Sequence, residues 1–549
     1  MSNTIESLTA QGWWSVNGST EPSWDENALG EAILDINRPV TIVEKDGRYA
    51  ASDGGVKILG GDRPDSSALP IAGYVPACRL ESLGDPSFCD DHGIRYAYIA
   101  GAMANGIGSA DIVEDMSRAG LLAFFGAAGL SPERIESEID RIQKNLGDAP
   151  YGFNLIHNPN EPDQEAAVVD LYLRRSVNLV SASAYLDLTL PVVRYRVHGI
   201  HRDENGEAVT PNRIVAKVSR VEVATKFMSP PPERFLKELV VSGDITAEQA
   251  DMASGIPMAQ DLTAEADSGG HTDNRPAIAL IPTLLALRDQ MQEKFGYRQS
   301  LRIGAAGGIS TPASAAAAFA MGASYILTGS VNQACVESGS SDIVREMLAE
   351  ARQADVIMAP AADMFEMGVK VQVLKRGTMF AMRGAKLYEL YRNCDSIEAI
   401  PTAEKASLEK SLFRSPLETI WEQTREFFQQ RDPSQIERAE SEPKHKMALV
   451  FRWYLGQSSR WANSGEPSRQ VDYQVWCGPS MGAFNEWVKG TFLEETENRR
   501  VVTVALNILY GAAMLNRINS LKIQGVRLAP KLLHVPPLEL EALQQRLNS

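Results

Sequence analysis

The chain has 549 residues, 44% of them hydrophobic and 23% charged, which is ordinary for a globular protein and too long for one average domain. A formal net charge of −16 excludes a general nucleic-acid binder, since polyanion affinity rests on basic phosphate contacts. Five scattered cysteines (Cys78, Cys89, Cys335, Cys394 and Cys477) have no C-x-x-C spacing, so they offer no thiolate zinc site and fit a reducing cytoplasm.

The opening MSNTIESLTAQGWW lacks a basic region followed by an apolar core, so no signal peptide is expected. No run approaches the roughly 18 consecutive apolar residues of a spanning helix, and the expectation is a cytoplasmic protein without a membrane partner. Residues 1–92 read as a β-rich segment of short strands and turns. Within VTIVEKDGRYAAS, Asp46-Gly47 separates two β-rich runs, a hairpin signal.

From residue 93 the pattern alternates. Strand-like YAYIAGAM, LLAFFGAA, YGFNLIH, NLVSAS, RIVAKVS, LTAEAD, LRIGAAGG and YILTGS are separated mostly by helical patterns. In SPERIESEIDRIQKNLG, for example, Ser131 is the candidate N-cap and Ile135 and Ile139 follow at helical spacing. Eight strands alternating with helices predict an α/β fold, a (β/α)8 TIM barrel over residues 93–400. An open doubly wound sheet is disfavoured because no G-x-G-x-x-G turn is present.

One connection is too long for a plain barrel. Between RIVAKVS and LTAEAD a helical insertion is expected at about 220–260, where Pro230, Pro231 and Pro232 end one helix and Thr246 with Gln249 forms a capping box for another. It reads equally as a lid over the barrel or as an inert decoration. Residues 401–549, with PKHKMALVFRWYLGQSSRWANSG and VVTVALNILYGAAMLNRINSL, are expected to form a C-terminal helical domain.

A barrel assembles its chemistry at the C-terminal ends of its strands. Here those ends are rich in small residues, which let backbone amides approach a large flat ligand. GAAGGISTPASAAAAF sets Gly307 and Gly308 before a helix N-terminus, and LTGS repeats the arrangement with Gly329 and Ser330. Loops after the last two strands are the usual phosphate position of barrels. Lys217 ends its strand as either a Schiff-base nucleophile or a cation beside an electron-rich cofactor. Asn154 either bonds a ligand or caps a turn. His198 and His201 in VHGIHRD lack a third ligand nearby, and no metal is expected. His271 follows Gly269 and Gly270 in AEADSGGHTDNRP, and an unperturbed pKa of about 6.5 suits proton transfer, which makes it the candidate catalytic residue.

AGAMANGIGS, FNLIH, AKVS, EADSGGHTDNRP, GAAGGI and LTGSVNQA together resemble the flavin-dependent nitronate monooxygenase and enoyl-reductase barrel superfamily. Within it, APAADMFEMGVKVQVLKRGTMFAMR and KHKMALVFRWYLGQSSRWANSGE are similar to the PfaD-type subunit of bacterial polyunsaturated fatty acid synthases, whose relatives act in trans on polyketide synthases. The resemblance implies an FMN-binding barrel that takes hydride from NADPH (or NADH) and reduces enoyl thioesters on acyl carrier protein domains, and it implies self-association. The backbone around Ala102, Met103 and Ala104 would face the flavin ring, Asn154 and Lys217 would contact it, and Gly307, Gly308, Gly329 and Ser330 would hold its phosphate. Gly269 and Gly270 would turn closely over it, with His271 at its reactive face. Because carrier proteins are acidic, Lys370, Lys375, Arg376 and Arg383 are docking candidates. The competing readings are a nitronate-oxidising flavoenzyme, an IMP-dehydrogenase-like barrel disfavoured by the lack of a cysteine near the expected loop, and a non-catalytic docking subunit.

Overall fold

The computed structural model of the protein describes residues 12–17, 21–158 and 162–548; the opening MSNTIESLTAQ, on which the signal-peptide expectation rests, lies outside them. Five antiparallel strands come first: β1 (Gly12–Ser15), β2 (Val40–Lys45), β3 (Arg48–Ser52), β4 (Val56–Leu59) and β5 (Leu69–Val75), in the order β3-β2-β5-β1-β4. Asp46 and Gly47 both adopt positive φ (51° and 73°), giving the twist that a two-residue hairpin needs, and Lys45 pairs with Arg48 across it.

The eight strands expected from the sequence form a closed parallel barrel. They are β6 (Tyr98–Ala100), β7 (Leu122–Phe125), β8 (Gly152–Ile156), β9 (Leu179–Ser183), then, after a small hairpin of β10 (His201–Arg202) and β11 (Ala208–Val209), β12 (Arg213–Val218) and β13 (Asp261–Glu265). A two-residue β14 (Gly270–His271) precedes the last barrel strands, β15 (Arg302–Ala306) and β16 (Ile326–Thr328), and β9 pairs with β12 to complete the ring. Barrel strands are buried on both faces, which is why they read as apolar runs: every residue of β7 and β15 is buried. Surrounding helices follow their patterns. Ser131 Oγ accepts from the Arg134 amide to cap Pro132–Leu146, and Ile135, Ile139 and Ile142 form its buried stripe. Each such burial contributes about 1.5–3 kcal/mol.

The bottom of the barrel is closed by charge. Arg302, at the start of β15 and 1% exposed, donates from Nε to Asp261 Oδ1 at 2.6 Å and approaches Asp91 Oδ2 at 2.7 Å. His92 Nε2 lies 2.9 Å from Asp261 Oδ2. Despite burial, these partners hold the Asp261 carboxyl below its ordinary pKa.

The insertion contains helices Val221–Met228, Glu233–Ser242 and Ala247–Ala253, and the Thr246–Gln249 capping box is formed. The last two helices pack on Leu190–Val197, against the outside of the barrel. Beyond β16, strands β17 (Val356–Pro360) and β18 (Lys370–Leu374) join β14 in a sheet of order β14-β18-β17.

The hydrophobic cores cross the expected boundaries at 92 and 400. One core joins Phe365, Val371 and Phe380 to Trp421, Phe451 and Tyr454. Another joins Ile33, Val40 and Val75 of the N-terminal segment to Ile518 and Leu521. The helix Val501–Ile523 that provides these last residues also packs on Pro312–Ala320 of the barrel. Among the described residues it is the one helix long and apolar enough to cross a membrane (mean hydropathy 1.5), and its apolar circumference is covered by protein.

Candidate active site

All twelve residues singled out from the strand ends line one cavity of about 610 Å3 at the C-terminal face of the barrel. That volume suits a bound organic molecule. Barrel loops make its floor. The roof comes from helices Leu417–Arg431 and Pro443–Ser464, which contribute Phe427, Phe428, Trp453 and Arg460 among others. No residue of 220–260 lines this cavity, so the insertion is not the cover; the C-terminal helices take that position. Asn105 on the rim, with φ 59°, donates from Nδ2 to Ser459 Oγ at 3.1 Å and ties floor to roof.

Two ion pairs set the electrostatics. His271 Nε2 lies 3.2 Å from Asp363 Oδ1, and its side chain is 34% exposed, enough to be reached from the cavity. Burial opposes a charge on His271, but the facing Asp363 carboxylate, reinforced by Glu265, outweighs it and raises the pKa above 6.5. The Asp363 carboxyl is correspondingly lowered, its own desolvation overcome by the imidazolium. Lys217 Nζ lies 2.6 Å from Glu265 Oε1, with exposures of only 17% and 18%. An ammonium held this way is a fixed positive charge, which favours the cation reading of Lys217 over the Schiff-base one.

Asn154 is 6% exposed, and its Nδ2 donates to Ser181 O at 3.1 Å and Ser183 Oγ at 2.7 Å, leaving its side-chain oxygen without a donor among the described residues. His157 and Glu165, neither anticipated from the sequence, join the loops after β8 and β9: Nδ1 and Oε2 are 2.7 Å apart, and Tyr185 donates to Oε1 at 2.8 Å.

The glycine cradle has a steric cause. Gly307 adopts φ 78°, and an added Cβ would lie 2.5 Å from the Ala266 carbonyl carbon; at Gly308 (φ 80°) and Gly329 a Cβ would meet nothing within 4 Å, so that space belongs to the cavity. Among the described residues the amides of Gly308, Ile309 and Ser330 have no acceptor in the chain. Converging free amides beside a space that a Cβ would fill suit a phosphate ester. The helix dipole contributes less than the sequence implies. Ser314 Oγ already accepts from the Ser310 and Thr311 amides, and the helix after β16, Ser330–Gln333, is a single turn. Gly269 lines the cavity and also has a steric role that the sequence did not show. A Cβ there would stand 2.9 Å from the backbone of Cys477 and Gly478, so the glycine admits the C-terminal segment. His271 itself is held in a ladder, because β14 pairs it with Val371 of β18.

Residues 86–389, covering the barrel and its cavity floor, match the family model of nitronate monooxygenase. The chain belongs to that family. Residues 394–473, which include both roof helices, match the inserted helical domain of [acyl-carrier-protein] S-malonyltransferase. The crystal structure of the enoyl reductase domain of MlnA, from the macrolactin biosynthesis cluster of Bacillus amyloliquefaciens, is 42% identical with a TM-score of 0.76, covering 80% of this chain and 100% of that one. A polyunsaturated fatty acid synthase polypeptide of a Thraustochytrium species is 48% identical over 82% of this chain and 31% of its own length. The polyketide biosynthesis protein PksE of Bacillus subtilis is 47% identical over 79% of this chain and 56% of its own. The chain therefore spans about a third to a half of these curated relatives and carries a nitronate monooxygenase-family, enoyl-reductase-like oxidoreductase domain related to those of polyunsaturated fatty acid and polyketide synthases.

The four docking cations suggested by the resemblance divide in two. Arg376 pairs with Glu350 at 3.4 Å, and Arg383 is paired with Asp472 and only 15% exposed. Lys370 and Lys375 make no ion pair among the described residues and remain available to a partner.

Proposed function

We propose that the protein is an FMN-dependent enoyl reductase that takes hydride from NADPH (or NADH) and acts in trans on enoyl thioesters of acyl carrier protein domains in a polyunsaturated fatty acid or polyketide synthase. The observation that carries the proposal is one cavity holding both a cradle of amides without an acceptor among the described residues and a histidine kept protonatable by a carboxylate. Its roof matches an insertion from an enzyme that is named for acyl carrier protein, and the whole of an enoyl reductase domain aligns with the chain; both support the substrate class.

A bound flavin would supply hydride to Cβ of the enoyl thioester. The amides of Gly308, Ile309 and Ser330 would hold its phosphate, while Asn154 and Lys217 would bond the ring and Ala102, Met103, Ala104 and Gly270 would line it. Glu265 fixes the Lys217 ammonium. Because Nε2 of His271 is committed to Asp363, Nδ1 is the nitrogen left to donate: to the thioester carbonyl, polarising it, or to Cα, completing the reduction. Phe427, Phe428, Leu449 and Trp453 exclude water and give an acyl chain an apolar wall.

The test is anaerobic. NADPH should bleach the flavin absorbance of the purified protein, and a carrier-bound enoyl thioester should restore it, with ping-pong initial rates. His271→Ala should stay yellow and lose about 10²–10⁴-fold in the reoxidation step. Bleaching that no enoyl thioester reverses rejects the proposal. Oxygen-dependent turnover of a nitroalkane without NADPH would instead select the oxidase reading, which the family match favours.

A further inference from the structure

The cations lining the cavity are not equally compensated. Lys217, His271 and Arg452 each face a carboxylate, those of Glu265, Asp363 and Glu366. Arg460 faces none among the described residues. It projects from the roof helix Pro443–Ser464, and its guanidinium carbon lies 5.7 Å from the centre of the Phe427 ring. Arg431, from the other roof helix, approaches the same ring at 5.5 Å, and Gln164 Oε1 accepts from its Nη2 at 2.6 Å. Partial burial, and then the charge of Arg431, disfavour the charged form of Arg460. Two guanidinium groups thus approach one aromatic ring at the cavity wall, and an anion beside Arg460 would supply the counter-charge that no ion pair among the described residues gives it.

We propose that Arg460, with Arg431, forms a phosphate-ester subsite in the roof of the cavity. Arginine's planar fork of donors matches phosphate oxygens, and a chain of net charge −16 needs a local cation to admit a phosphorylated ligand. The subsite is built from the C-terminal helices and the glycine cradle from barrel loops, two separate sets of donors lining one cavity, so the arginines are assigned a second phosphate, one belonging to the visiting ligand. The identity of that ligand rests on the enoyl-reductase reading, which offers two sources with the same chemistry: the phosphopantetheine arm of a carrier protein and the phosphates of NADPH.

Equilibrium binding separates them without any turnover. The full chain and its Arg460→Gln and Arg460→Lys variants are titrated calorimetrically with 4′-phosphopantetheine, pantetheine and 2′-phospho-ADP-ribose. A preference for 4′-phosphopantetheine over pantetheine of about tenfold or more, lost in Arg460→Gln and partly kept in Arg460→Lys, assigns the subsite to the carrier arm. A similar loss for the nucleotide alone assigns it to the cofactor. If Arg460→Gln binds all three probes as the parent chain does, or the parent shows no measurable affinity for either phosphate, the subsite is refuted. The Arg460 side chain reaches solvent although part of its length is covered by the roof, so a melting temperature close to the parent's is expected and serves as the folding control. Failure of enoyl reduction with an intact phosphate preference would refute the reaction and leave the subsite standing.

Discussion

His271 Nε2 and Asp363 Oδ1 stand 3.2 Å apart although 92 positions separate them in the chain, because β14 pairs with β18 and brings the loop after β17 against the histidine. The pairing keeps the imidazole protonated to higher pH than a free histidine. If the protonated form is the donor, turnover persists above pH 6.5 and declines as pH rises through the raised pKa. In Asp363→Asn the strongest influence favouring the charge is gone, while burial and Lys217 still oppose it. The basic limb of the pH–rate profile should therefore move to lower pH, with flavin content unchanged. A limb that stays in place would show that another group donates the proton.

Much of the barrel is written in local pattern. YAYIAGAM, LLAFFGAA and their six counterparts are buried on both faces, so each appears as an apolar run ending in small residues, and the order of runs alone closes the ring. The floor of the cavity was legible for the same reason, since a parallel barrel puts every strand end on one rim. What the pattern could not contain is contact at long range. Asp363 lies in a motif with no periodic or chemical mark of its own, and only the β14–β18 ladder makes it a partner of His271. Glu265 sat in view within AEADSGGHTDNRP, two residues before Asp267, but its role depends on Lys217 from the neighbouring strand. The insertion at 220–260 and the segment 417–464 have similar helical texture, and texture does not say which one folds over the mouth. Likewise, a helix apolar all round such as Val501–Ile523 announces burial without naming what covers it.

Gly308 separates strain from site loss. Its φ of 80° makes Gly308→Ala strained by about 1–2 kcal/mol, and the new methyl enters empty cavity space. Gly60 has φ 67° and an equally open Cβ position, but on the N-terminal segment away from the cavity. Both alanine variants should lose similar stability in denaturant melts. Only Gly308→Ala should lose flavin, read as the ratio of flavin to protein absorbance after gel filtration. Equal flavin content in the two would remove the phosphate role from this loop.

The Lys217–Glu265 pair predicts a non-additive cycle. Both groups are mostly buried, so Glu265→Gln leaves an ammonium without its counter-charge, at a cost of about 1–3 kcal/mol. Lys217→Met with Glu265→Gln removes the charge along with its partner. The double variant should therefore be more stable than Glu265→Gln alone, while binding flavin more weakly than the parent. A double variant no more stable than Glu265→Gln would mean that the pair is screened by solvent in the cavity.

The far end of the barrel tests the division between chemistry and stability. Arg302 and Asp261 begin adjacent strands, both nearly inaccessible, and neither lines the cavity. Removing the guanidinium in Arg302→Met leaves the Asp261 carboxylate with His92 alone, which should cost about 3–5 kcal/mol. The pH dependence has a definite sign. Because the folded Asp261 pKa lies below 3.8, its contribution is complete above that value and disappears as pH falls through the folded pKa. Without Arg302 the folded pKa rises, so acid unfolding of the variant should begin at higher pH than in the parent. The catalytic rate per folded, flavin-loaded molecule should change little, since the cavity is at the opposite end of the strands. Chemical denaturation at several pH values, with flavin-normalised rates measured on the same samples, distinguishes the two effects. A large rate loss in fully folded Arg302→Met would show that the barrel transmits a disturbance from its base to the site.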